Sequence, residues 1–406
     1  MIRRLRRRPL LAALVALLIL APFAGLYTWR EELIERWAQG ADVFGRGRLA
    51  ARYRHSPTAQ YYYGLSLLEV GETSLALERL NRAAELERSP RTMGGLARAL
   101  YASGDQEYAV GLARVVLSEE PGQVQALWTR ALDFEAHHNS SRAADCYERI
   151  VAVTPEDAEA WFRLGVCQSR NEKPNPAEEA FRRADQLRPR DPTIINELAM
   201  IRLRLGAPQE AEELARRSLQ LERERASTHL LLAKVEVAKG STNEAEKELR
   251  EALRLAPEYP LAHHELGMLL ARERRWEQAR REFEAALRAD PDLRPARYEW
   301  AKALRHLGRT EEAQRQEARY RLEADCAHQE ELLRSALYTA KDKGRVYFEL
   351  ARLRVKWGHL ADAYDAYRIG LQHDPTNRQA QQEFGALARR LAAQPPPAPG
   401  PGAGRP

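Results

Sequence analysis

The side chains of this chain that could carry out chemistry are histidines, cysteines and many carboxylates. Two histidine pairs occur, His137–His138 and His263–His264. Adjacent residues on a helix point in different directions, so each pair makes a poor metal chelate. The three cysteines stand at unrelated spacings, which favours packed thiols over a disulfide framework or a metal site. The glutamate runs have the spacing of a solvated helix face.

Catalytic motifs are missing from the sequence. It contains no glycine-rich dinucleotide loop, no phosphate-binding P-loop, no HExxH helix and no GxSxG elbow. We therefore expect no enzymatic activity, no cofactor, no metal and no small-molecule substrate.

The composition is that of a folded protein, with 44% hydrophobic and 30% charged residues among 406. The net charge is +6, but five arginines lie ahead of the first apolar run, which leaves 64 − 5 = 59 basic against 58 acidic residues. The basic balance thus gives no reason to expect a nucleic-acid partner.

The segment from Pro9 to Trp29 carries no charge and is long enough to cross a bilayer. A cleaved secretory signal and an uncleaved anchor both fit it. We favour the anchor, because no good small-x-small cleavage site follows and because Tyr27 and Trp29 end the run beside Arg30. This predicts a cytoplasmic basic segment at 1–8, a transmembrane signal anchor at 9–29, and a single-pass protein of the inner membrane whose remaining residues are periplasmic.

The rest of the chain repeats. Prolines fall on a grid of 34 residues, and small residues occupy every node of a parallel grid. The alanines of that grid are Ala109, Ala143, Ala177, Ala211, Ala245, Ala279 and Ala313. Apolar spacing between these marks is helical and glycines stand midway, which predicts pairs of antiparallel helices.

These residues resemble the tetratricopeptide repeat family, whose signature is Trp-x2-Leu-Gly-x2-Tyr, then Ala-x3-Phe, then Pro. The stretch 158–191 matches through Trp161, Leu164, Gly165, Ala177, Phe181, Ala184 and Pro189, with Gln168 where Tyr is usual. The resemblance implies an all-α fold, a right-handed α-α superhelix, here preceded by one transmembrane helix.

The repeat grid also predicts boundaries. Gly308 and Gly358 are 50 residues apart, 16 more than one repeat of 34, so we expect one additional separate helix after the eighth hairpin. The predicted segments are a linker at 30–56, about eight tandem hairpins at 57–327, the extra helix at 326–343, a last hairpin at 344–377, a capping helix at 378–393 and a disordered Pro/Gly tail at 394–406.

One stripe of residues on the first helix of each hairpin is rich in cations. It follows the spacing i, i+4, i+7 and i+8 from Phe162, and over the array it holds nine basic residues and one acidic residue. The nine basic residues are Arg98, Arg170, Arg204, Lys234, Arg272, Lys302, Arg305, Arg352 and Lys356. The resemblance implies that this face lines a concave groove that contacts a ligand. The alternative is that glutamates on adjacent turns neutralise the cations. The candidate partner-binding residues are Arg98, Trp128, Phe162, Arg170, Asn196, Arg204, Lys234, His264, Arg272, Tyr298, Lys302 and Arg305.

Together these features predict a membrane-anchored, non-catalytic scaffold that binds another protein, through an acidic or carboxylate-bearing segment, in a basic concave groove. An accessory role in an envelope assembly, such as secretion, polysaccharide export or cytochrome biogenesis, is the alternative. A nucleic-acid partner is the least supported hypothesis, because the stripe lacks a regular series of stacking aromatic residues.

Overall fold

The computed structural model describes residues 30–337 and 340–393, which form twenty-one α-helices and no β-strand. Of α1, residues 30–40 are described. The other helices are α2 (Val43–Arg52), α3 (Pro57–Glu69), α4 (Thr73–Leu86), α5 (Pro90–Ser103), α6 (Gln106–Glu119), α7 (Val124–Ala136), α8 (Ser140–Val153), α9 (Ala158–Arg170), α10 (Pro174–Leu187), α11 (Pro192–Arg204), α12 (Pro208–Leu221), α13 (Ala226–Lys239), α14 (Thr242–Leu255), α15 (Pro260–Arg272), α16 (Trp276–Ala289), α17 (Arg294–His306), α18 (Thr310–Leu337), α19 (Lys343–Trp357), α20 (Leu360–His373) and α21 (Arg378–Ala392).

The helices belong to two compact units, one ending at Ala207 and the other beginning at Pro208. Within the first unit, α3 to α10 form four antiparallel hairpins, and α11 follows them. Within the second unit, α13 to α20 form four more, with α12 before them and α21 after them. The expected all-α fold of antiparallel helix hairpins is confirmed.

Small residues allow the two helices of each hairpin to approach closely. The alanines of the sequence grid, such as Ala143 and Ala245, are completely buried. In α9–α10 the ring of Phe181 lies against Gly165, and in α15–α16 the ring of Phe283 lies against Gly267. Close packing of this kind is the main favourable term for helices this short, because isolated helices of such length are marginal in water.

The turn inside each hairpin needs a left-handed backbone. Gly104 and Gly240 adopt φ of +100° and +82° there, which glycine does without strain. The corresponding position in three other hairpins is occupied by His138, Glu172 and Arg274, whose φ values are 55°, 58° and 60°. These three turns therefore hold an L-residue in a region that favours glycine.

A side-chain hydrogen bond fixes the loop before four of the helices, α9, α15, α17 and α21. The fourth residue of each helix donates to the backbone carbonyl of the proline in the preceding loop, even where Trp has been replaced. The pairs are Trp161 Nε1 to Pro155 (2.9 Å), His263 Nε2 to Pro257 (2.9 Å), Arg297 to Pro291 (2.8 Å) and Gln381 Nε2 to Pro375 (2.7 Å). Four residue types therefore serve one structural purpose, since each offers a donor at the same place.

The predicted linker at 30–56 is instead largely helical and packed. Ile34 and Ala38 of α1 are buried, and the Glu35 carboxylate lies 2.9 Å from the guanidinium of Arg91 on α5. Apolar residues at helical spacing explain the difference, because they allow α1 and α2 to cover the first hairpin.

The prediction of a separate extra helix at 326–343 is also wrong. The additional residues continue α18 without a break, and α18 reaches 28 residues. Cys326 is buried against Leu353 and Trp357 of α19, while the fully buried Glu323 pairs with Arg297 at 2.9 Å. No glycine or proline lies between Thr310 and Leu337 to end the helix.

The expected single-pass location in the inner membrane is contradicted by the described helices. None of the helices within 30–337 and 340–393 is both long enough and apolar enough to cross a bilayer. The longest, α18, is mostly polar. The segments predicted as basic terminus (1–8), anchor (9–29) and Pro/Gly tail (394–406) lie outside the described residues.

Candidate interaction face on the first helices

The first-helix face comprises the fifth, ninth, twelfth and thirteenth positions of each repeat's first helix. Within the first unit α5 packs beside α7, and within the second unit α15 packs beside α17. Equivalent positions of successive hairpins are therefore neighbours inside each unit, as the sequence stripe requires.

In the first unit, two of the proposed partner-binding residues are used for packing. The guanidinium of Arg98 donates to the Gln125 side chain at 2.6 Å and lies 5.0 Å from the centre of the Trp128 ring. Trp128 is only 4% exposed and packs edge-on against Tyr147. Burial lowers the pKa of Arg98 from its ordinary value. Arg98 and Trp128 thus contribute to the core instead of presenting a cation and an apolar surface to a ligand.

The remaining residues of the first unit are more accessible. Phe162 is half-buried, with its ring centre 5.8 Å from that of Phe181. The guanidinium of Arg204 donates to the Ser169 hydroxyl at 2.9 Å, one repeat earlier. Arg170 is exposed and makes no hydrogen bond or ion pair with the described residues, and Asn196 is half-buried on α11.

Glu197 lies close enough to Arg170 for the two charges to interact. Burial raises the pKa of the Glu197 carboxyl, and the nearby positive charge of Arg170 opposes this rise. The Glu197 carboxylate therefore offsets part of the positive charge of Arg170 before any ligand binds.

In the second unit, several cations already have carboxylate partners. Lys234 Nζ lies 3.1 Å from Glu265, and Lys302 Nζ lies 3.0 Å from Glu299. The other two pairs are Arg305 with Glu317 and Arg352 with Glu383. The hydrogen bond that the Arg352 guanidinium donates to Glu383 raises the pKa of Arg352.

His264 does not add to the positive charge. Burial lowers its pKa, so the imidazole is neutral near pH 7. Its Nε2 is buried and has no hydrogen-bond partner within the described part of the chain, and its ring packs on Phe283.

Arg272, Tyr298 and Lys302 present exposed side chains on this face in the second unit. Arg272 is exposed and pairs with no described residue, while Tyr298 is 48% exposed. Lys302 Nζ lies 5.2 Å from the centre of the Tyr298 ring, within range of a cation–π interaction. An exposed ring beside a lysine, on a face that also carries an exposed guanidinium, can contact both the apolar and the carboxylate groups of an acidic segment.

The structure shows which of the stripe cations are neutralised by carboxylates of the same chain. Four of the nine stripe cations pair with carboxylates, and Arg170, Arg272 and Lys356 are exposed without an ion pair to the described residues. Three glutamates that the stripe omitted, Glu197, Glu265 and Glu299, all occupy the sixth position of a first helix. Reading that position along the repeat would have revealed them.

The three cysteines are buried and have reduced thiols that pack inside the protein. Burial raises the pKa of the Cys167 thiol to about 12, and the nearby Glu135 carboxylate adds to the rise. Burial likewise raises the pKa values of Cys146 and Cys326. Such thiols are protonated at neutral pH and make poor nucleophiles.

Comparison with known families decides the classification. A family model described as tetratricopeptide repeat matches residues 129–192, 196–260, 230–294 and 264–325. The chain contains tetratricopeptide repeats. Tetratricopeptide repeat proteins are protein-interaction scaffolds, and the fold is typically non-catalytic. No curated protein matches the chain.

Several solved structures resemble parts of this tetratricopeptide repeat protein. YrrB, described as a protein with an unusual peptide-binding site, shares 18% identity over 46% of this chain and 97% of its own, with a TM-score of 0.43. TTC0263 of Thermus thermophilus shares 18% over 57% of this chain and 99% of its own, with a TM-score of 0.32. MamA of Desulfovibrio magneticus shares 24% over 41% and 95%, with a TM-score of 0.34.

Proposed function

We propose that this tetratricopeptide repeat protein is a non-catalytic scaffold, and that the first-helix face of its second unit binds an acidic or carboxylate-bearing segment of another protein. The observation that supports this most directly is Arg272, an exposed guanidinium without an ion pair to the described residues, on the same face as the exposed ring of Tyr298. A charged donor and an exposed aromatic ring on one face are a common composition for an interface anchor.

A packing contact supports a second cation on this face near Arg272. The ring of Trp276, at the start of α16, stacks on His306, at the end of α17, with 3.9 Å between ring centres. This contact holds the carboxyl-terminal ends of α15 and α17 side by side. Arg272 and Arg305, which lie in the last turns of those helices, therefore approach the same edge.

The existing ion pairs do not prevent binding. Pairs such as Lys302–Glu299 and Lys234–Glu265 are partly exposed, and pairs of this type contribute at most about 1 kcal/mol each. A ligand carboxylate can replace the internal glutamate at small cost, since the lysine remains paired. Such contacts mainly accelerate association and fix the register of the ligand, while the Tyr298 ring supplies apolar area.

The test is binding of short peptides that alternate acidic and apolar residues, measured by fluorescence anisotropy with the full chain. The same peptides with Gln and Asn in place of Glu and Asp are the ligand control. We expect selective binding of the acidic peptides, and we expect the Arg272→Glu/Arg305→Glu double variant to weaken it by about tenfold or more. The variant should also flatten the salt dependence.

A matched control variant is Arg281→Glu/Arg288→Glu, which makes the same change in net charge at exposed positions of α16. If it weakened binding as much as the first-helix variant, the effect would come from overall charge and the proposed face would be wrong. The alternative role in an envelope assembly depended on the membrane location, which the described helices contradict.

A further inference from the structure

A cleft of about 330 Å³ opens in the first unit between α8, α9 and α10. Two of these three are second helices of their hairpins, so the cleft lies outside the first-helix face. Its lining includes Trp161, Leu164 and Gln168 of α9, with Glu148 of α8 and Glu179 of α10. This site is independent of the function proposed above.

The cleft exists where the chain departs from the family signature. Gln168 stands at the position that Tyr usually occupies in the repeat, and its smaller side chain leaves space between the neighbouring helices. Gln168 is nevertheless only 8% exposed. A buried polar side chain at the floor of an open cleft requires a partner for each of its polar atoms.

One of those atoms has no partner. Gln168 Nε2 donates to the Glu148 carboxylate at 3.4 Å, whereas Gln168 Oε1 is buried and accepts no hydrogen bond from the described residues. The orientation of the amide follows from this contact, because an ionised carboxylate can only accept and must therefore face the NH2 group. The carbonyl oxygen is left as an acceptor that lacks a donor.

The other polar groups around the cleft are also acceptors. Glu148 and Glu179 are exposed carboxylates, and neither is paired with a cation in the described part of the chain. Many other glutamates of this protein do hold an arginine or lysine, as Glu178 and Glu135 do in the same unit. Trp161 donates its Nε1 hydrogen to the Pro155 carbonyl and has no other N–H, so its side chain can offer a ligand only the ring.

We propose that this cleft binds a basic side chain, arginine or lysine, carried by a partner protein. The cationic head pairs with the carboxylates of Glu148 and Glu179, which satisfies both unpaired charges. Because Gln168 Oε1 is closed off from solvent, the amide turns toward the cleft to accept a hydrogen bond from the same head. The alkyl stem packs on Leu164 and on the Trp161 ring, where a cation is also favoured. An anionic ligand would face two carboxylates and would leave the Gln168 carbonyl without a donor.

The experiment uses the full chain labelled with 5-fluorotryptophan, with the Trp161 signal assigned by comparison with Trp161→Phe. The probe is Nα-acetyl-arginine amide, whose only charge is the guanidinium, and Nα-acetyl-lysine amide is the second probe. The uncharged Nα-acetyl-citrulline amide is the matched ligand control. We expect a saturable shift of the Trp161 ¹⁹F resonance with either cationic probe and little or none with citrulline.

Two variants test the residues named. Glu148→Gln/Glu179→Gln keeps the shape and removes the charges, and it should weaken binding of the arginine probe by about tenfold or more. Gln168→Tyr restores the residue usual in the repeat and should abolish the shift by filling the cleft. Asp145→Asn, an exposed acidic residue of α8 that does not line the cleft, is the control and should leave binding unchanged.

Three results would overturn the proposal. These are no saturable shift with either cationic probe, an equal response to citrulline, and an unchanged affinity in the Glu148→Gln/Glu179→Gln variant. Because that double variant alters only exposed side chains, the test does not depend on whether Gln168→Tyr folds. Acidic-peptide binding to the first-helix face is measured separately, so failure of one site is distinguishable from failure of the other.

Discussion

Gly165 lies directly against the ring of Phe181, so closely that a Cβ on Gly165 would be 2.8 Å from ring atom Cδ1. Gly267 and Phe283 repeat the arrangement at 2.6 Å from Cε1. In the last hairpin the order is reversed, since Phe348 of the first helix packs on Gly370 of the second. In hairpins of both units, a phenylalanine ring on one helix thus packs directly against the backbone of a glycine on the other.

This contact predicts that Gly267→Ala destabilises the second unit. A methyl group cannot fit at 2.6 Å from the ring, so we expect a loss of about 1–3 kcal/mol from overpacking. The measurement is urea unfolding followed by circular dichroism. Gly385→Ala in α21 is the control: a Cβ there meets no atom within 4 Å, and we expect a gain of about 0.5–1 kcal/mol from helix propensity. Equal effects of the two substitutions would argue against the packing explanation.

The continuity of α18 is tested by Asp325→Pro. Asp325 is exposed and lies well inside the helix, so proline would remove one backbone hydrogen bond and clash with the carbonyl four residues earlier. We expect a destabilisation of about 3 kcal/mol or more, with Asp325→Ala close to wild type. A stable Asp325→Pro protein with unchanged helicity would instead indicate a helix boundary near this position.

His263 makes stability depend on pH. Its Nδ1 lies 2.7 Å from the Glu282 carboxylate and its Nε2 2.9 Å from the Pro257 carbonyl. Both partners are acceptors, so both hydrogen bonds form only when the imidazole carries two protons. Burial lowers the pKa of His263, but these hydrogen bonds outweigh burial and raise it above the ordinary value.

Because the folded-state pKa is raised, the stabilisation is fully present below the unfolded pKa of about 6.5 and is lost as pH rises through the folded value. We expect His263→Gln to cost about 1 kcal/mol more at about pH 5.5 than at about pH 9. Denaturation of wild type and variant at both pH values measures this difference. Glu282→Gln should reduce the same pH dependence, and a difference that grew toward high pH would contradict the assignment.

The left-handed turn residues predict a stabilising substitution. Arg274 adopts φ of 60° at the position where Gly240 serves in the preceding hairpin. We expect Arg274→Gly to raise the free energy of unfolding by about 0.5–1 kcal/mol, because relief of the left-handed conformation exceeds the entropy that glycine adds to the unfolded chain. Gly240→Ala should have the opposite sign. Thermal unfolding of both variants provides the comparison, and a destabilised Arg274→Gly protein would show that its side chain contributes more than its backbone costs.

Much of the fold could be predicted from residue periodicity. The buried alanines, the glycine turns and the contact between Gly165 and Phe181 all follow from a repeat of 34 residues, because each hairpin buries the same positions against its neighbours. The helix α18 could also have been recognised from its lack of glycine and proline. Counting repeat lengths instead predicted two separate helices in place of α18, because the count carries no information on where the backbone turns.

The interaction face depended on tertiary structure. The sequence identified the nine stripe cations but not their partners, because Glu265 reaches Lys234 from the next hairpin, 31 residues away in sequence. It likewise gave no sign that Trp128 is buried, or that the Gln168 carbonyl lacks a donor at the floor of a cleft. Periodicity in the sequence indicates which side of a helix is apolar, and this information is enough to predict which side is buried. Pairing of charges and satisfaction of polar atoms depend on distances between atoms of different helices, which only the packed structure fixes.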